Sequence, residues 1–437
     1  MALPGPLAPW YDFRDLSNAI ERLLSWLNDI GPDWLVYVVS ALIGGTAIFL
    51  FVAATAVANI WVERRVVARI QVRRGPNRAG PWGLLQPIAD MTKLMQKEAL
   101  RPRAGDPVVF LLAPILAFAP ALLVWGVFPF GKGMTFVDLN VGVLYIIAVT
   151  SVTTIVLFMA GWSSNNKYSL LGAMRVIAML LSYEIPLVLA LLGAVLFAGT
   201  MSLSGIVAWQ QDMRVWLFLV QPLAFAIYFI CATAEINRTP TDIAEAESEI
   251  VAGYHTEYSG IQFGLFYAVE LVNAMALGAI AATLFFGGWW LFGLDRWIPG
   301  WMIFIGKVYL IYFLLIWLRG TLPRLRIDQL MAFAWKFLLP LALVNLMLAA
   351  LEVLLWLEYD LSAGLVLPVF SVVNLSLTVL LVVGWMRFMA FPFHRLPSRA
   401  RLVHDIPVVA PGAPTFARGA QTGARLGESA SGGGGAA

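Results

Sequence analysis

Residues 63–102 read ERRVVARIQVRRGPNRAGPWGLLQPIADMTKLMQKEALRP and directly follow an apolar run over residues 34–62. The stretch opens with Glu63 and carries six arginines by Arg78, so the apolar run ends abruptly. Residues 75–81, GPNRAGP, are rich in glycine and proline, and proline interrupts a helix because it cannot donate a backbone hydrogen bond. This order predicts a membrane-spanning helix that leads into a basic loop.

The second half of this stretch has two faces at helical spacing. Its polar residues recur every three or four positions, and so do its apolar residues. The polar set is Gln86, Asp90, Lys93 and Lys97, and the apolar set is Leu84, Ile88, Met91 and Met95. The pattern over residues 84–98 predicts an amphipathic helix that lies in the membrane interface instead of crossing the bilayer.

The composition is typical of a membrane protein. Of 437 residues, 60% are hydrophobic and 13% are charged, whereas a soluble domain is about one quarter charged. Cys231 is the single cysteine, which excludes a disulfide within the chain and an iron–sulfur cluster ligated by its cysteines. The three histidines are too scattered to predict a zinc site, and no glycine-rich nucleotide-binding motif follows a strand pattern. If the chain takes part in redox chemistry, we expect another chain to carry the redox cofactors.

Long apolar runs predict an all-α polytopic membrane protein. A helix needs about 20 apolar residues to cross a bilayer, and the runs are too long for barrel strands. We predict about nine spans, at residues 34–62, 107–128, 141–161, 170–199, 215–234, 261–286, 301–319, 337–357 and 363–389. The last run is the least regular, because Ser371 and Asn374 interrupt it.

The runs divide the chain into three predicted parts. They are an N-terminal segment 1–33, a transmembrane helical domain 34–390 and a C-terminal tail 391–437. The tail is rich in alanine, glycine and proline, a composition that predicts disorder over most of its length.

Basic residues are distributed unevenly between the joins. With residues 63–106 on the inside, the inside segments hold 23 of the 29 lysines and arginines, and the outside joins hold three. Positive residues are retained on the cytoplasmic side of a membrane. The asymmetry predicts an N-terminus outside and a C-terminus in the cytoplasm.

One inside join is acidic. Residues 235–260 contain a single basic residue, Arg238, against the acids Glu235, Asp242, Glu245, Glu247, Glu249 and Glu257. Residues 245 and 249 share a face of a helix, whereas all three alternating glutamates share a face in extended backbone. Crowded carboxylates disfavour one another's ionisation, so some are expected to hold protons near neutral pH. The simpler interpretation is a solvated acidic loop.

Three further carboxylates fall within apolar runs: Glu184, Glu270 and Glu352. An isolated carboxylate in hydrocarbon is costly, so these side chains are expected to face the bundle interior or to be neutral. Each acid is either a structural group bonded to a neighbouring helix or part of a functional path.

Several of these segments resemble the H subunit of bacterial NADH-quinone oxidoreductase, which belongs to the subunit 1 family of respiratory complex I. The first inside loop matches at Glu63-Arg64-Arg65, Gln71-Val72-Arg73, Gly75-Pro76-Asn77-Arg78, Gly83-Leu84-Leu85-Gln86-Pro87, Ala89-Asp90 and Lys97-Glu98. The acidic join matches at Glu235, Asn237-Arg238-Thr239-Pro240, Asp242, Glu245, Glu247-Ser248-Glu249, Gly253 and Glu257-Tyr258. The second and fourth inside loops match as well, so the resemblance covers about residues 63–340.

The resemblance implies a membrane subunit that forms a quinone-binding tunnel and couples quinone reduction to proton translocation. The implied quinone-cavity residues are Arg65, Asp90, Glu245, Glu247 and Glu249, and the implied proton-relay residues are Glu184, Glu235 and Glu270. Glu352 matches no motif and is interpreted as structural. Quinone is then a substrate, and FMN and iron–sulfur clusters belong to other chains.

The implied surroundings follow from the same resemblance. The partners are other complex I membrane subunits, peripheral quinone-site and iron–sulfur subunits on the cytoplasmic face, and the lipid bilayer, with no nucleic acid. The location is the bacterial plasma (inner) membrane.

Two alternatives stay open at this point. One is the homologous subunit of a membrane-bound hydrogenase, which has the same fold and no quinone. The length of the matches at 63–102 and 235–260 favours the quinone enzyme. The other is a stand-alone secondary transporter, which usually shows an internal repeat of hydrophobic segments, and none is evident here.

Overall fold

The computed structural model describes residues 33–243, 250–294, 297–359 and 362–393. Within these ranges the regular structure is helical, apart from one isolated bridge between Gly131 and Met134. In chain order the α-helices are α1 Asp33–Ile70, α2 Gln86–Gln96, α3 Pro107–Leu123, α4 Gly142–Ser163, α5 Lys167–Ala198, α6 Leu203–Met213, α7 Leu217–Val220, α8 Pro222–Glu235, α9 Gly260–Leu284, α10 Gly300–Thr321, α11 Ile327–Phe333, α12 Leu339–Glu358 and α13 Ala363–Phe393. A π-helical turn, Ala334–Leu338, joins α11 to α12.

Seven of the described helical segments are long and apolar enough to cross a membrane. They are Val38–Ile70, Pro107–Gly126, Gly142–Ser163, Lys167–Ala198, Gly260–Leu284, Gly300–Thr321 and Ile327–Glu358. Two shorter apolar helices, Pro222–Glu235 and Val366–Leu381, stand where the remaining two spans are predicted. The prediction of an all-α polytopic membrane protein is confirmed.

The predicted run at 215–234 is not one helix. α7 ends at Val220, Gln221 leaves the helical region with φ −127° and ψ 64°, and α8 begins at Pro222. Proline lacks a backbone N–H, and it disfavours helical geometry in the residue before it. Pro222 therefore starts the short helix α8 and separates it from α7.

α1 continues beyond the end of the apolar run. It reaches Ile70 and has 38 residues, which corresponds to a length of roughly 57 Å. The hydrocarbon core of a bilayer is about 30 Å thick. The helix therefore continues through Glu63 and carries the charged residues Glu63, Arg64 and Arg65 on its C-terminal turns.

Two helices organise the packing of the bundle. α5 packs against α4, α8 and α12, while α9 packs against α3, α10, α1 and α2. Small residues permit close approach: a Cβ on Gly172 of α5 would lie 2.7 Å from backbone atoms of Gly253. Such close contacts are typical of helix packing in membranes. Gly172 thus allows the 253–255 turn to lie directly against α5.

The interfacial helix α2 has the two faces that the sequence predicts. Its apolar residues Ile88, Met91 and Met95 are about half exposed or more in the isolated chain, whereas its other side packs on α1 and α9. An amphipathic helix with an uncovered apolar face suits the boundary between headgroups and acyl chains. Its location in the membrane interface stays a prediction.

A partly buried lysine binds the segment that follows the C-terminus of α9. The Nζ of Lys307, on α10, donates to the carbonyl oxygens of Phe286, Gly288 and Trp290 at 2.6, 2.8 and 2.6 Å. The ring of Trp216 lies 5.3 Å from the same nitrogen. These carbonyls follow the C-terminus of α9, where the helix dipole favours a cation. Lys307 therefore fixes the segment after α9 to α10.

The chain divides into two compact units, Met1–Thr378 and Val379–Ala437. Every site described below lies in the first unit. Of the second unit, the structure describes the helical residues up to Phe393.

Candidate functional site

The three carboxylates predicted to relay protons line one internal cavity of about 40 Å³. Glu184 comes from α5, Glu235 from the end of α8 and Glu270 from α9. The volume has room for roughly two or three water molecules. The structure thus brings together three acids that are distant in sequence, and we name this space the relay cavity.

The wall of the relay cavity that α4 forms is rich in hydroxyl groups. α4 contributes Thr150, Ser151, Thr153 and Thr154. Ser151 Oγ is in hydrogen-bond contact with the Glu184 carboxyl and lies 2.8 Å from the carbonyl oxygen of Ile147. Asn237 also lines the cavity, is 7% exposed, and has an Oδ1 atom without a hydrogen-bond partner in the described structure. Buried polar groups of this kind usually bind ordered water.

The chain leaves α8 in a tight turn that places Glu235 and Asn237 at the cavity. Asn237 adopts a positive φ of 56°, a conformation that asparagine tolerates better than most residues. Thr241 Oγ1 donates either to the Thr233 carbonyl at 3.1 Å or to the Arg238 carbonyl at 2.8 Å. These bonds close the turn back on the last turn of α8.

A buried ion cluster lies on the other side of this turn. Glu63 of α1 is 4% exposed and accepts from Arg238 at 2.5 Å, from Tyr312 at 3.3 Å and from Arg319. The cluster therefore joins α1, the turn after α8, and α10. Ile236 lines both the relay cavity and a small cavity that Arg238, Tyr312 and Arg319 line. Residues of the turn 235–238 thus line both cavities.

The buried ion cluster is the part of the site that sequence reasoning missed. Glu63 and Arg238 lie within the matched motifs, but nothing in their spacing indicates that they meet. Both carboxylate oxygens are paired with guanidinium groups, which offsets part of the cost of burying the charges. A charged residue at the end of an apolar run is the one signal that points to Glu63.

The predicted quinone-cavity residues Arg65 and Asp90 lie apart from the relay cavity and are not among its lining residues. Asp90 pairs with Arg64 at 2.5 Å and accepts from Gln86 at 3.2 Å. Arg65 instead donates to the carbonyl of Trp82 at 2.6 Å and stacks over Trp61 at 5.0 Å. Both arginines therefore fasten the first loop and α2 to α1.

The predicted acids Glu245, Glu247 and Glu249 lie outside the described residues. Asp242, just before them, pairs with Arg324 at 2.6 Å, and the backbone N–H of Leu325 donates to the Pro240 carbonyl at 3.0 Å. The acidic join is thus attached to the loop that follows α10.

Among the groups outside the spans, Asp90 and His255 have shifted protonation equilibria. Partial burial acts to raise the pKa of Asp90, but hydrogen bonds from Arg64 and Gln86 and the charges of Arg64 and Lys93 outweigh it, so the pKa lies below its ordinary value. Burial lowers the pKa of His255 to about 4, although the charge of Asp242 acts in the opposite direction. Asp90 is therefore ionised and His255 neutral near pH 7.

Glu352 has a separate environment on α12. It is 7% exposed and accepts from Asn374 Nδ2 at 3.0 Å, and the same amide donates to the Val220 carbonyl at 2.9 Å. Asn374 thereby links α12 and α13 to the break before α8. Glu352 does not line the relay cavity, and its structural interpretation stays a prediction.

The site contains acids, hydroxyls and arginines, and this set suits proton exchange and charge stabilisation. Among the described residues, no group of three or more histidine, cysteine, aspartate or glutamate side chains converges as a metal site would.

Fold and site together define a polytopic helical membrane protein with carboxylates and an arginine–glutamate cluster inside its bundle. The family model described as "NADH dehydrogenase" matches residues 43–350. The chain therefore belongs to the NADH dehydrogenase family.

Curated relatives agree with this family. The chain is 54% identical over 331 residues to a protein from Dehalococcoides mccartyi (strain CBDB1), covering 75% of this chain and 89% of the relative. It is 49% identical over 326 residues to a protein from Carboxydothermus hydrogenoformans, covering 74% of this chain and 91% of the relative. It is 50% identical over 307 residues to a protein from Geobacillus kaustophilus, covering 70% of this chain and 92% of the relative. All three are named as the H subunit of NADH-quinone oxidoreductase, and the resemblance inferred from the sequence motifs is confirmed.

Proposed function

We propose that this chain is the membrane subunit of a proton-translocating NADH-quinone oxidoreductase, in which it forms the quinone-binding tunnel and couples quinone reduction to proton translocation. The relay cavity carries the proposal, because it gathers three carboxylates from three helices inside the helical bundle. Acids at this depth are costly and usually mark ion or proton pathways.

The coupling path starts at the buried ion cluster. A change of charge near Glu63, Arg238 or Arg319 acts on the turn 235–238, which carries Glu235 into the relay cavity. Glu235, Glu184 and Glu270 then exchange protons through water and through the hydroxyls of α4. Because like charges close together disfavour double ionisation, a proton added at one acid changes the occupancy of the others.

The quinone side of the proposal uses the first loop and the acidic join. Quinone enters from lipid beside α1, α2 and α9, and Arg65, Asp90, Glu245, Glu247 and Glu249 belong to the wall around its head group. The exposed apolar face of α2 and the ties of Arg64 and Arg65 to this loop support a fixed, lipid-facing entrance. No FMN or iron–sulfur cluster is assigned to this chain.

The partners and location follow from the same proposal. Peripheral quinone-site and iron–sulfur subunits bind the basic cytoplasmic face, and other membrane subunits of the complex bind within the bilayer of the bacterial plasma membrane. The N-terminus is outside and the C-terminus is cytoplasmic. The names of the relatives favour the quinone enzyme, and no observation favours a hydrogenase subunit or a stand-alone transporter.

Glu184→Gln tests the relay. The substitution keeps the shape of the side chain but removes the ionisable group, so the assembled complex should lose most of its quinone-linked turnover and proton pumping together. Glu184→Asp should retain part of both. The measurement is NADH-driven quinone reduction and proton uptake in membrane vesicles, after assembly is verified on a native gel.

Glu352→Gln is the matched control, since Glu352 is also a buried membrane acid but lies outside the relay cavity. It should keep the wild-type ratio of protons to electrons. An assembled Glu184→Gln complex that pumps protons per NADH at the wild-type rate would contradict the relay.

A further inference from the structure

The Ser151 hydroxyl has two acceptors within reach and one proton to give. Its Oγ lies 2.8 Å from the carbonyl oxygen of Ile147, one turn back on α4, and contacts a carboxylate oxygen of Glu184 on α5. A serine hydroxyl donates one hydrogen bond and accepts up to two. It therefore cannot donate to both oxygens at once, and when it donates to the Ile147 carbonyl, the proton of the bond with Glu184 has to come from Glu184.

Counting protons gives two arrangements. When Glu184 is ionised, it has no proton to donate, so the contact requires Ser151 to donate to Glu184 and to release the Ile147 carbonyl. When Glu184 is protonated, it gains an O–H that is able to donate to Ser151, which leaves the Ser151 hydroxyl free to donate to Ile147. The ionised carboxylate therefore allows one direction of the bond between the two helices, and protonation makes the reverse direction available.

Neither arrangement leaves the carbonyl of Ile147 without a side-chain partner. Thr150 Oγ1 donates to the same carbonyl oxygen at 3.0 Å. Because Ile147 lies inside α4, its carbonyl also accepts from the helical backbone N–H of Ser151, so neither arrangement leaves it unpaired and the cost of reversal is low. A low cost of reversal is what a reversible element requires.

We infer that Ser151 is a positioning residue whose hydroxyl reverses its direction of donation whenever Glu184 gains or loses a proton. The reversal makes the hydrogen bonding on the hydroxyl-lined face of α4 depend on the protonation of Glu184 on α5. The inference rests on the proposed relay function of Glu184. The other titratable groups that line the same cavity are Glu235 from α8, Glu270 from α9 and Tyr254 from the join before α9.

The competing interpretation is a fixed structural bond, because serine hydroxyls in helices often donate to the carbonyl four residues back. A fixed Ser151–Ile147 bond would be insensitive to Glu184. The two interpretations predict different hydrogen bonding to the carboxyl group of Glu184. Infrared spectroscopy observes that group directly.

The experiment is infrared difference spectroscopy of the intact purified complex at fixed pH. The carboxylic-acid carbonyl band of Glu184 is assigned by its loss in Glu184→Gln. In Ser151→Ala the band should move, because its hydrogen-bond partner is gone.

Two variants complete the test. Ser151→Thr keeps a hydroxyl and should restore the band position. Ser371→Ala is the matched control, because Ser371 donates to the carbonyl four residues back at the same 2.8 Å and does not line the relay cavity. It should leave the band unchanged.

The outcomes separate the inference from the proposed function. A wild-type band in Ser151→Ala overturns the inference, even if Glu184→Gln abolishes coupling. A Ser151-dependent band in an enzyme whose Glu184→Gln variant still pumps normally overturns the relay but keeps the inference. If Ser151→Ala fails to assemble, Ser151→Cys conserves the volume with a weak donor, and a wild-type band in that variant is equally decisive against the inference.

Discussion

Glu63 and Asp90 show how burial decides the value of an ion pair. The Glu63 side chain is 5% exposed and is paired with Arg238 and Arg319, which are 11% and 35% exposed, whereas the Arg64 and Asp90 side chains are 41% and 24% exposed. Exposed pairs contribute about 0–1 kcal/mol, whereas breaking a buried pair costs about 3–5 kcal/mol because a charge is left uncompensated. The two sites lie on the same helix or its immediate neighbour, so they can be compared in one complex.

We predict that Glu63→Gln strongly destabilises the complex, because it leaves Arg238 and Arg319 without their carboxylate. Arg64→Gln, the matched control at the neighbouring position, should change stability by less than about 1 kcal/mol. Thermal unfolding of the purified complex, followed by loss of the native-gel band, measures both. Equal unfolding temperatures for the two variants would show that the buried ion cluster is not a stabilising element.

The neutral His255 predicts a pH-dependent opening of the turn before α9. Its pKa is about 4 in the folded chain and about 6.5 when unfolded. The unfolded state therefore binds more protons between these values, and stability falls as the pH falls below about 6.5. At about pH 5.5 the local opening constant should be roughly tenfold larger than at neutral pH.

Hydrogen exchange of the 253–258 amides in the intact complex, corrected for the intrinsic pH dependence of exchange, measures this opening. His255→Phe keeps an aromatic ring beside Tyr254 and Phe263 but has no titratable group, so it should remove the pH-dependent part. An unchanged pH dependence in that variant would assign the effect to another group.

At the scale of elements, the sequence predicts most helices because hydrophobic length and periodicity are local properties. It fails where a local feature competes with that pattern. Pro222 divides the run at 215–234 into two helices, and α1 continues eight residues beyond the apolar run at 34–62. The end of α1 could not be located from hydropathy, because Glu63 is stabilised in the helix by arginines that lie far away in sequence.

The interfacial helix supports a prediction that is independent of activity. If α2 lies in the membrane interface, a spin label at Met91 should collide with oxygen dissolved in lipid, and a label at Lys93 should collide with a water-soluble paramagnetic reagent. The two positions are neighbours in sequence on different faces of one helix. Equal access of the aqueous reagent to both labels would place α2 outside the membrane.

At the scale of the whole molecule, the sequence indicates individual acids but not where they meet. Family resemblance points to Glu184, Glu235 and Glu270 one at a time, and the structure places all three around one cavity. The contacts of Glu63 with Arg238 and Arg319 depend on the packing of α1 against α9 and α10. No single-sequence periodicity encodes such packing.

The orientation of the molecule rests on its charge asymmetry and is testable in whole cells. A cysteine at Lys132, in an outside join, should react with an impermeant thiol reagent added to intact cells, whereas one at Lys167 should react only in inverted vesicles. The natural Cys231 is buried and should not interfere. Labelling of the Lys132 position only from the inverted side would reverse the proposed topology.

The buried ion cluster also constrains how this chain can evolve. Its three charges stand at positions 63, 238 and 319, on elements that are far apart in the chain but meet at one carboxylate. A substitution that reverses or removes one charge leaves a buried ion without its counterpart, so it should persist only when another position changes with it. Among related sequences we expect these three sites to vary as a correlated set. The exposed partners Arg64 and Asp90 should vary more independently of each other.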